Sequence, residues 1–215
     1  MMYRDGSCFD FLQMGDREGT KERREEEKMK QNSNNRNMVQ KMVMTAMMMC
    51  LIMVMTFLIR IPIPATKGYI HLGDGMIFLG VLLLGWKWGA LAAGVGSALA
   101  DLIGGYAYYA PVTLVVKFFM GMVVGLFVRN ALKRHAGPAK MRVMEILGMV
   151  IGGGVMCAGY YLAESLMYGS WITPLLSILM NIVQFVVGVI MASVLANALY
   201  HTPAGKYFAY RISRS

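Results

Sequence analysis

Residues 88–104 read WGALAAGVGSALADLIG. Apart from Asp101 the stretch is uncharged, and its small side chains recur every fourth position: Gly89, Ala93 and Ser97 on one helical stripe, Ala92, Gly96 and Ala100 on the next. Lipid gives helices no hydrophobic drive to associate, so small residues that let backbones approach closely take over that role. The stretch therefore predicts the tightly packed central helix of a membrane bundle.

The rest of the chain agrees with that class. Hydrophobic residues make up 57% of the 215 and charged residues only 15%, far from the balance of a soluble domain. Apolar runs cover roughly 38–59, 74–85, 88–104, 111–132, 144–168 and 172–200. We read an all-α integral membrane protein with six transmembrane helices, the second short, tilted or longer than its apolar core. Residues 1–37 form a charged tail with too little apolar surface to bury, expected to be disordered or at most transiently helical. They lack the apolar segment of a cleavable signal peptide. Residues 38–200 form the six-helix domain and 201–215 a short basic tail.

Lysine and arginine counts orient the bundle. With the amino terminus inside, the inner segments hold nine (residues 1–41), one (Lys87), five (129–142) and three (after 200) of the 21. The outer loops hold only Arg60 and Lys67. Both termini are thus expected in the cytoplasm, in a multi-pass protein of the cell membrane. The net charge of +9 reads as topology and attraction to anionic lipid. Nucleic-acid binding is not expected, because the basic residues are divided among loops instead of forming one stripe.

Cys8, Cys50 and Cys157 are scattered and odd in number, which argues against a disulfide framework or a CxxC metal site. His71, His135 and His201 lie in different loops and form no ligand cluster, so no metal is expected. Eight methionines between Met38 and Met55 read as adaptable packing on a lipid-facing or partner-facing helix. No GxxxxGK[ST] phosphate loop is present, so if transport is driven by ATP another polypeptide must hydrolyse it.

Ionisable residues inside a span are costly and mark candidate sites. Lys117 lies roughly 9 Å below the outer end of its helix, Glu164 roughly 6 Å and Asn181 roughly 10 Å, at the standard rise per residue. Residues three or four apart share a face, which groups Thr113 with Lys117, Tyr160 and Tyr161 with Glu164, and Ser177 and Gln184 with Asn181. Aromatic walls with a few hydrogen-bonding groups describe a small-molecule site. A structural ion pair between Lys117 and Glu164 is the plainer alternative. Asp101 reads as a loop cap or a partner of Lys117. Tyr106, Tyr108 and Tyr109 belong to an interfacial aromatic belt, with one or two facing a ligand entrance.

Between the first two runs lies GYIHLGDG, residues 68–75. Pro62 and Pro64 hold its approach extended. Asp74 suits the positive end of a helix dipole and reads as a cap. Tyr69 and His71 are candidates to touch a ligand, and the segment reads as a gate that closes over it.

Residues 60–126, with the runs IPxPxxxGYIHLGD and DLxGGYxxYxPxTLxxK, resemble the substrate-binding S components of energy-coupling factor (ECF) vitamin transporters. The group is the one that includes hydroxymethylpyrimidine, pyridoxine and riboflavin S components. The resemblance is dense from Met38 to Phe127 and mainly topological through the last two helices. It implies a non-enzymatic subunit that captures a small aromatic vitamin or precursor outside, with hydroxymethylpyrimidine or vitamin B6 favoured over riboflavin. Delivery would require a transmembrane coupling subunit and two cytoplasmic ATPases, the chain itself binding no cofactor. The loop after the first helix would gate a site lined by Tyr69, His71, Tyr109, Lys117, Tyr161, Glu164, Asn181 and Gln184. The family docks through an AxxxA motif in the first helix, for which Ala46 and Cys50 are the candidates here.

Two other classes remain at this stage. A self-sufficient proton-coupled carrier would use Glu164 or Asp101 as a relay, although no internal repeat relates residues 38–110 to 111–200. An intramembrane enzyme would draft His71, Asp74 and Glu164 as acid and base, but no nucleophile with an attendant base stands at a recognisable spacing.

Overall fold

The structure is a computed structural model that describes residues 7–58, 60–63, 68–134, 137–203, 205, 208 and 209, with backbone alone at 7–22, 26, 60–63, 68–70 and 138. In chain order it contains α1 (Ser7–Leu58), β1 (Arg60–Ile63), β2 (Gly68–His71), α2 (Gly73–Ile103), α3 (Ala110–Lys133), α4 (Pro138–Tyr168) and α5 (Leu175–Tyr200). Two compact units divide the chain, Met1–Met42 and Val43–Ser215. The first contributes a charged helical stretch of α1 whose described side chains are exposed.

The second unit holds the bundle. Among the described residues, five helices include stretches long and apolar enough to cross a membrane. α2 is counted once there, although it consists of two helices joined across a kink at Gly85, where the sequence separates the second run from the third. Within α2, Gly85 adopts φ 81° and ψ 176°, a region essentially reserved for glycine. The axis bends sharply there. A β-carbon on Gly89 would fall 2.6 Å from the Val81 Cα, whereas eight residues along a straight helix span roughly 12 Å. Lys87, expected between the two runs, is exposed two residues past Gly85 and lies 5.3 Å from the Trp86 ring centre.

The all-α expectation also needs one addition. Residues flanking the prolines pair as an antiparallel hairpin, with Arg60 opposite His71, Ile61 opposite Ile70, Pro62 opposite Tyr69 and Ile63 opposite Gly68. Proline cannot donate to a ladder, but a two-stranded hairpin has only edges, so Pro62 is accommodated. Pro64 lies outside the described residues.

Small residues of α2 do what their spacing predicts. A β-carbon on Gly96 would lie 3.1 Å from the Met49 Cα of α1, and one on Gly94 2.8 Å from the Leu114 carbonyl of α3. From α3, Gly121 abuts Ala90 and Gly125 abuts Trp86. The core around these contacts contains Ile52, Ile77, Phe78, Val81, Met120, Val124, Met149 and Met156. Pro174 precedes α5, and Gly169 closes α4 in the left-handed conformation that glycine tolerates.

Candidate functional site

Lys117 is fully buried, and so is its partner, Asp74 of α2, at 2.5 Å. Asp74 is therefore not the helix cap that its position suggested. Its Oδ2 accepts from the Gln184 side-chain amide at 2.8 Å, which ties α2, α3 and α5 together through one carboxylate. Burying two charges is tolerable only when they are paired and their remaining valences are met. Met156 Sδ lies 2.8 Å from the ammonium, and the Tyr160 ring centre lies 5.6 Å away. The Tyr160 hydroxyl donates to Thr113 at 3.1 Å.

Capping of α2 falls instead to His71. Its Nδ1 accepts the Gly73 backbone N–H at 3.0 Å and lies 3.5 Å from the Thr56 hydroxyl. The His71 backbone N–H donates to Gln184 Oε1 at 2.9 Å. One glutamine side chain thus bonds the β2 strand with its oxygen and the buried carboxylate with its nitrogen. The hairpin and the ion pair are joined through a single side chain.

Toward the start of α3 stands a second polar group. Tyr109, 5% exposed, donates to Glu164 Oε1 at 3.1 Å and lies 3.0 Å from the Tyr168 hydroxyl. Burial, reinforced by the hydrogen bond with Tyr168, pushes the Tyr109 phenol well above its usual range, so it remains protonated. Glu164 Oε2 and Ser177 Oγ are buried close to one another, and among the described residues neither completes a well-aligned hydrogen bond. Asn181 is also buried, one turn along α5 from Ser177 and three residues before Gln184. Unmet hydrogen-bonding capacity of this kind is costly in an apolar setting and is what a polar ligand would satisfy.

The residues expected at the site therefore separate. Lys117 and Gln184 meet in the ion-pair network, with His71 bonded to its edge. Tyr109 and Glu164 meet in the second group. Tyr161 belongs to neither: its hydroxyl donates to the Trp171 carbonyl at 3.2 Å, in the exposed loop between α4 and α5. The neighbouring Tyr160 faces Lys117 in its stead, because one residue of helix rotates a side chain by about 100°. The Tyr69 backbone lies in β2, and its side chain is outside the described residues. Neither proposed ion pair forms: Lys117 bonds neither Glu164 nor Asp101, and the residue missed was Asp74. The signal available was a carboxylate one residue into an apolar run. Ala46 and Cys50 are both exposed on α1, along with Met47, Leu51 and Val54.

A family model described as the ECF-type riboflavin transporter, S component, matches residues 36–201. The chain belongs to this S-component family. It is thus a membrane-embedded transport subunit, and the family is not an enzymatic one. An uncharacterized protein of Pyrococcus woesei is 45% identical to this S component over 114 residues, 53% of this chain and 71% of the relative. The thiamine precursor transporter HmpT of Lactococcus lactis subsp. cremoris is 30% identical over 146 residues, 67% of this chain and 78% of HmpT. Among solved structures, the S-component for biotin from an ECF-type ABC transporter superposes with a TM-score of 0.59 at 20% identity, covering 81% of this chain and 98% of that one. That last likeness concerns the fold.

Proposed function

We propose that this S component captures a small aromatic vitamin or precursor from outside the cell, an amino-substituted pyrimidine of the hydroxymethylpyrimidine type ahead of vitamin B6 and riboflavin. The buried Glu164 carboxylate, bonded through Oε1 to the Tyr109 phenol and with Ser177 close to its less well satisfied Oε2, carries this reading. A carboxylate acceptor with a serine hydroxyl that can donate or accept suits a ring that offers an exocyclic amine and accepts through a ring nitrogen or hydroxyl. Asn181 adds an amide at the same level, and Tyr160 an aromatic surface toward Lys117. A relative named as a thiamine precursor transporter supports the pyrimidine over the larger riboflavin ring system.

On capture, the hairpin closes and its state is communicated through His71 and Gln184 to Asp74 and Lys117. Release into a cytoplasm that holds both termini requires a transmembrane coupling subunit and two ATPases, which supply the ATP hydrolysis this chain does not perform. Its exposed α1 face at Ala46 and Cys50 is the docking surface. Mass spectrometry of the small molecule that copurifies with the chain in detergent tests the assignment. An aminopyrimidine is expected, bound at least about tenfold more weakly after Glu164→Gln, the loss of a hydrogen bond to a charged group. A copurifying ligand without a heterocyclic ring, or affinity indifferent to Glu164→Gln and Asn181→Ala, overturns it.

A further inference from the structure

The opposite end of the bundle carries a separate pocket. Glu145 stands 19 residues before Glu164 on α4, roughly 28 Å away along a helix axis. It is only 6% exposed although it lies in the second turn of the helix. The Tyr200 hydroxyl at the end of α5 donates to its Oε1 at 3.1 Å. No hydrogen bond to Oε2 is present among the described residues. Ser193, two turns back along α5, has a buried Oγ that is also without a partner among them. These groups line a half-open cavity of about 160 Å³ with the apolar Leu82 and Met149 and the polar Arg142 and Asn197.

Two features show that this is a shaped place. The Tyr200 ring is backed by Phe208, ring centres 4.2 Å apart and 31° between planes. The carboxy-terminal segment that carries Phe208 is itself pinned, because the Ala209 N–H donates to the Leu83 carbonyl at 2.9 Å, next to the Gly85 bend. The acceptor edge is thus held in place by residues that do not line the cavity.

Size and chemistry together select an occupant. An engineered apolar cavity of roughly 150 Å³ accommodates benzene, so this one has room for a single six-membered ring. The Glu145 carboxylate accepts, while Ser193 and Asn197 can also donate, which suits a ring that bears an exocyclic amine beside an accepting ring nitrogen. We infer that the Glu145, Ser193 and Tyr200 cavity is a second binding site, at the end of the bundle opposite the capture site, for a single-ring amine-bearing heterocycle. Its identification with the transported ring rests on the capture reading above. The cavity itself does not.

Equilibrium dialysis of the full-length chain in detergent against 4-amino-5-hydroxymethyl-2-methylpyrimidine separates the two. Wild type is expected to bind two molecules per chain. Glu145→Gln should weaken one site at least about tenfold, and Ser193→Leu, which fills the cavity, should abolish the same site. The other site retains wild-type affinity in both variants, which shows that they are folded. Glu164→Gln should have the converse effect. One site in wild type, lost in Glu164→Gln and unaffected by Glu145→Gln and Ser193→Leu, overturns the second site and leaves capture standing. One site lost only in Glu145→Gln and Ser193→Leu overturns capture of this ring and upholds the cavity. Absence of binding overturns both assignments for this ring.

Discussion

Lys117 and Asp74 form the pair on which the interior depends, since both are fully buried and joined across two helices. Removing one partner strands the other as an uncompensated charge, which costs roughly 3–5 kcal/mol, whereas replacing both by apolar groups is often neutral. Lys117→Met should therefore lower stability by about that amount, and Asp74→Leu together with Lys117→Met should recover much of it. Unfolding in mixed detergent micelles measures both, and additive losses would show that the two residues do not act as a pair. Gln184 has a different consequence, because its amide bonds Asp74 while its oxygen holds the His71 backbone. Gln184→Leu should free the hairpin, seen as faster amide exchange at residues 68–71, and protection equal to wild type would exclude a restraint through this side chain.

At the level of elements, Gly85 decides the path of α2. With φ 81° and ψ 176° it occupies a conformation whose strain for other residues is roughly 1–3 kcal/mol. Gly85→Ala should therefore lower the thermal midpoint while leaving the neighbouring helices helical by circular dichroism, and an unchanged midpoint would place the bend elsewhere. The helical spans were legible from sequence because lipid imposes long apolar runs, and the packing stripe because glycine and alanine mark close approach. The break between the second and third runs was legible because Gly, Trp and Lys interrupt the apolar pattern at 85–87, whereas the tightness of the turn, with Gly85 alone non-helical, was not. The hairpin was less visible: RIPI and GYIH are four residues each, and prolines announce extension but not a partner. Lys117 was found as a buried cation, while its partner 43 residues away depends on how α2 and α3 pack. Tyr160 and Tyr161 show the same limit, because adjacent tyrosines on a helix can be ordered only once the neighbouring helices are placed.

For the whole molecule the open matter is how capture becomes uptake, and α1 supplies the physical handle. Met48 and Ile52 face the bundle at 6% and 0% exposure. The opposite side presents Met47, Leu51, Val54 and Leu58, with Ala46 and Cys50 between them, an apolar face suited equally to lipid and to another membrane helix. Small side chains matter only in the second case, since they let a partner backbone approach, while lipid tails conform to any outline. Ala46→Trp should thus leave ring affinity of the isolated chain within about twofold, less than RT ln 2 of free energy. In proteoliposomes that also contain the coupling subunit and ATPases it should abolish ATP-driven uptake. The coupling subunit should also fail to copurify with the variant. Uptake at the wild-type rate would remove α1 from the docking surface and transfer that role to the apolar faces of α4 or α5, where Ile151 and Ile190 are the matching probes.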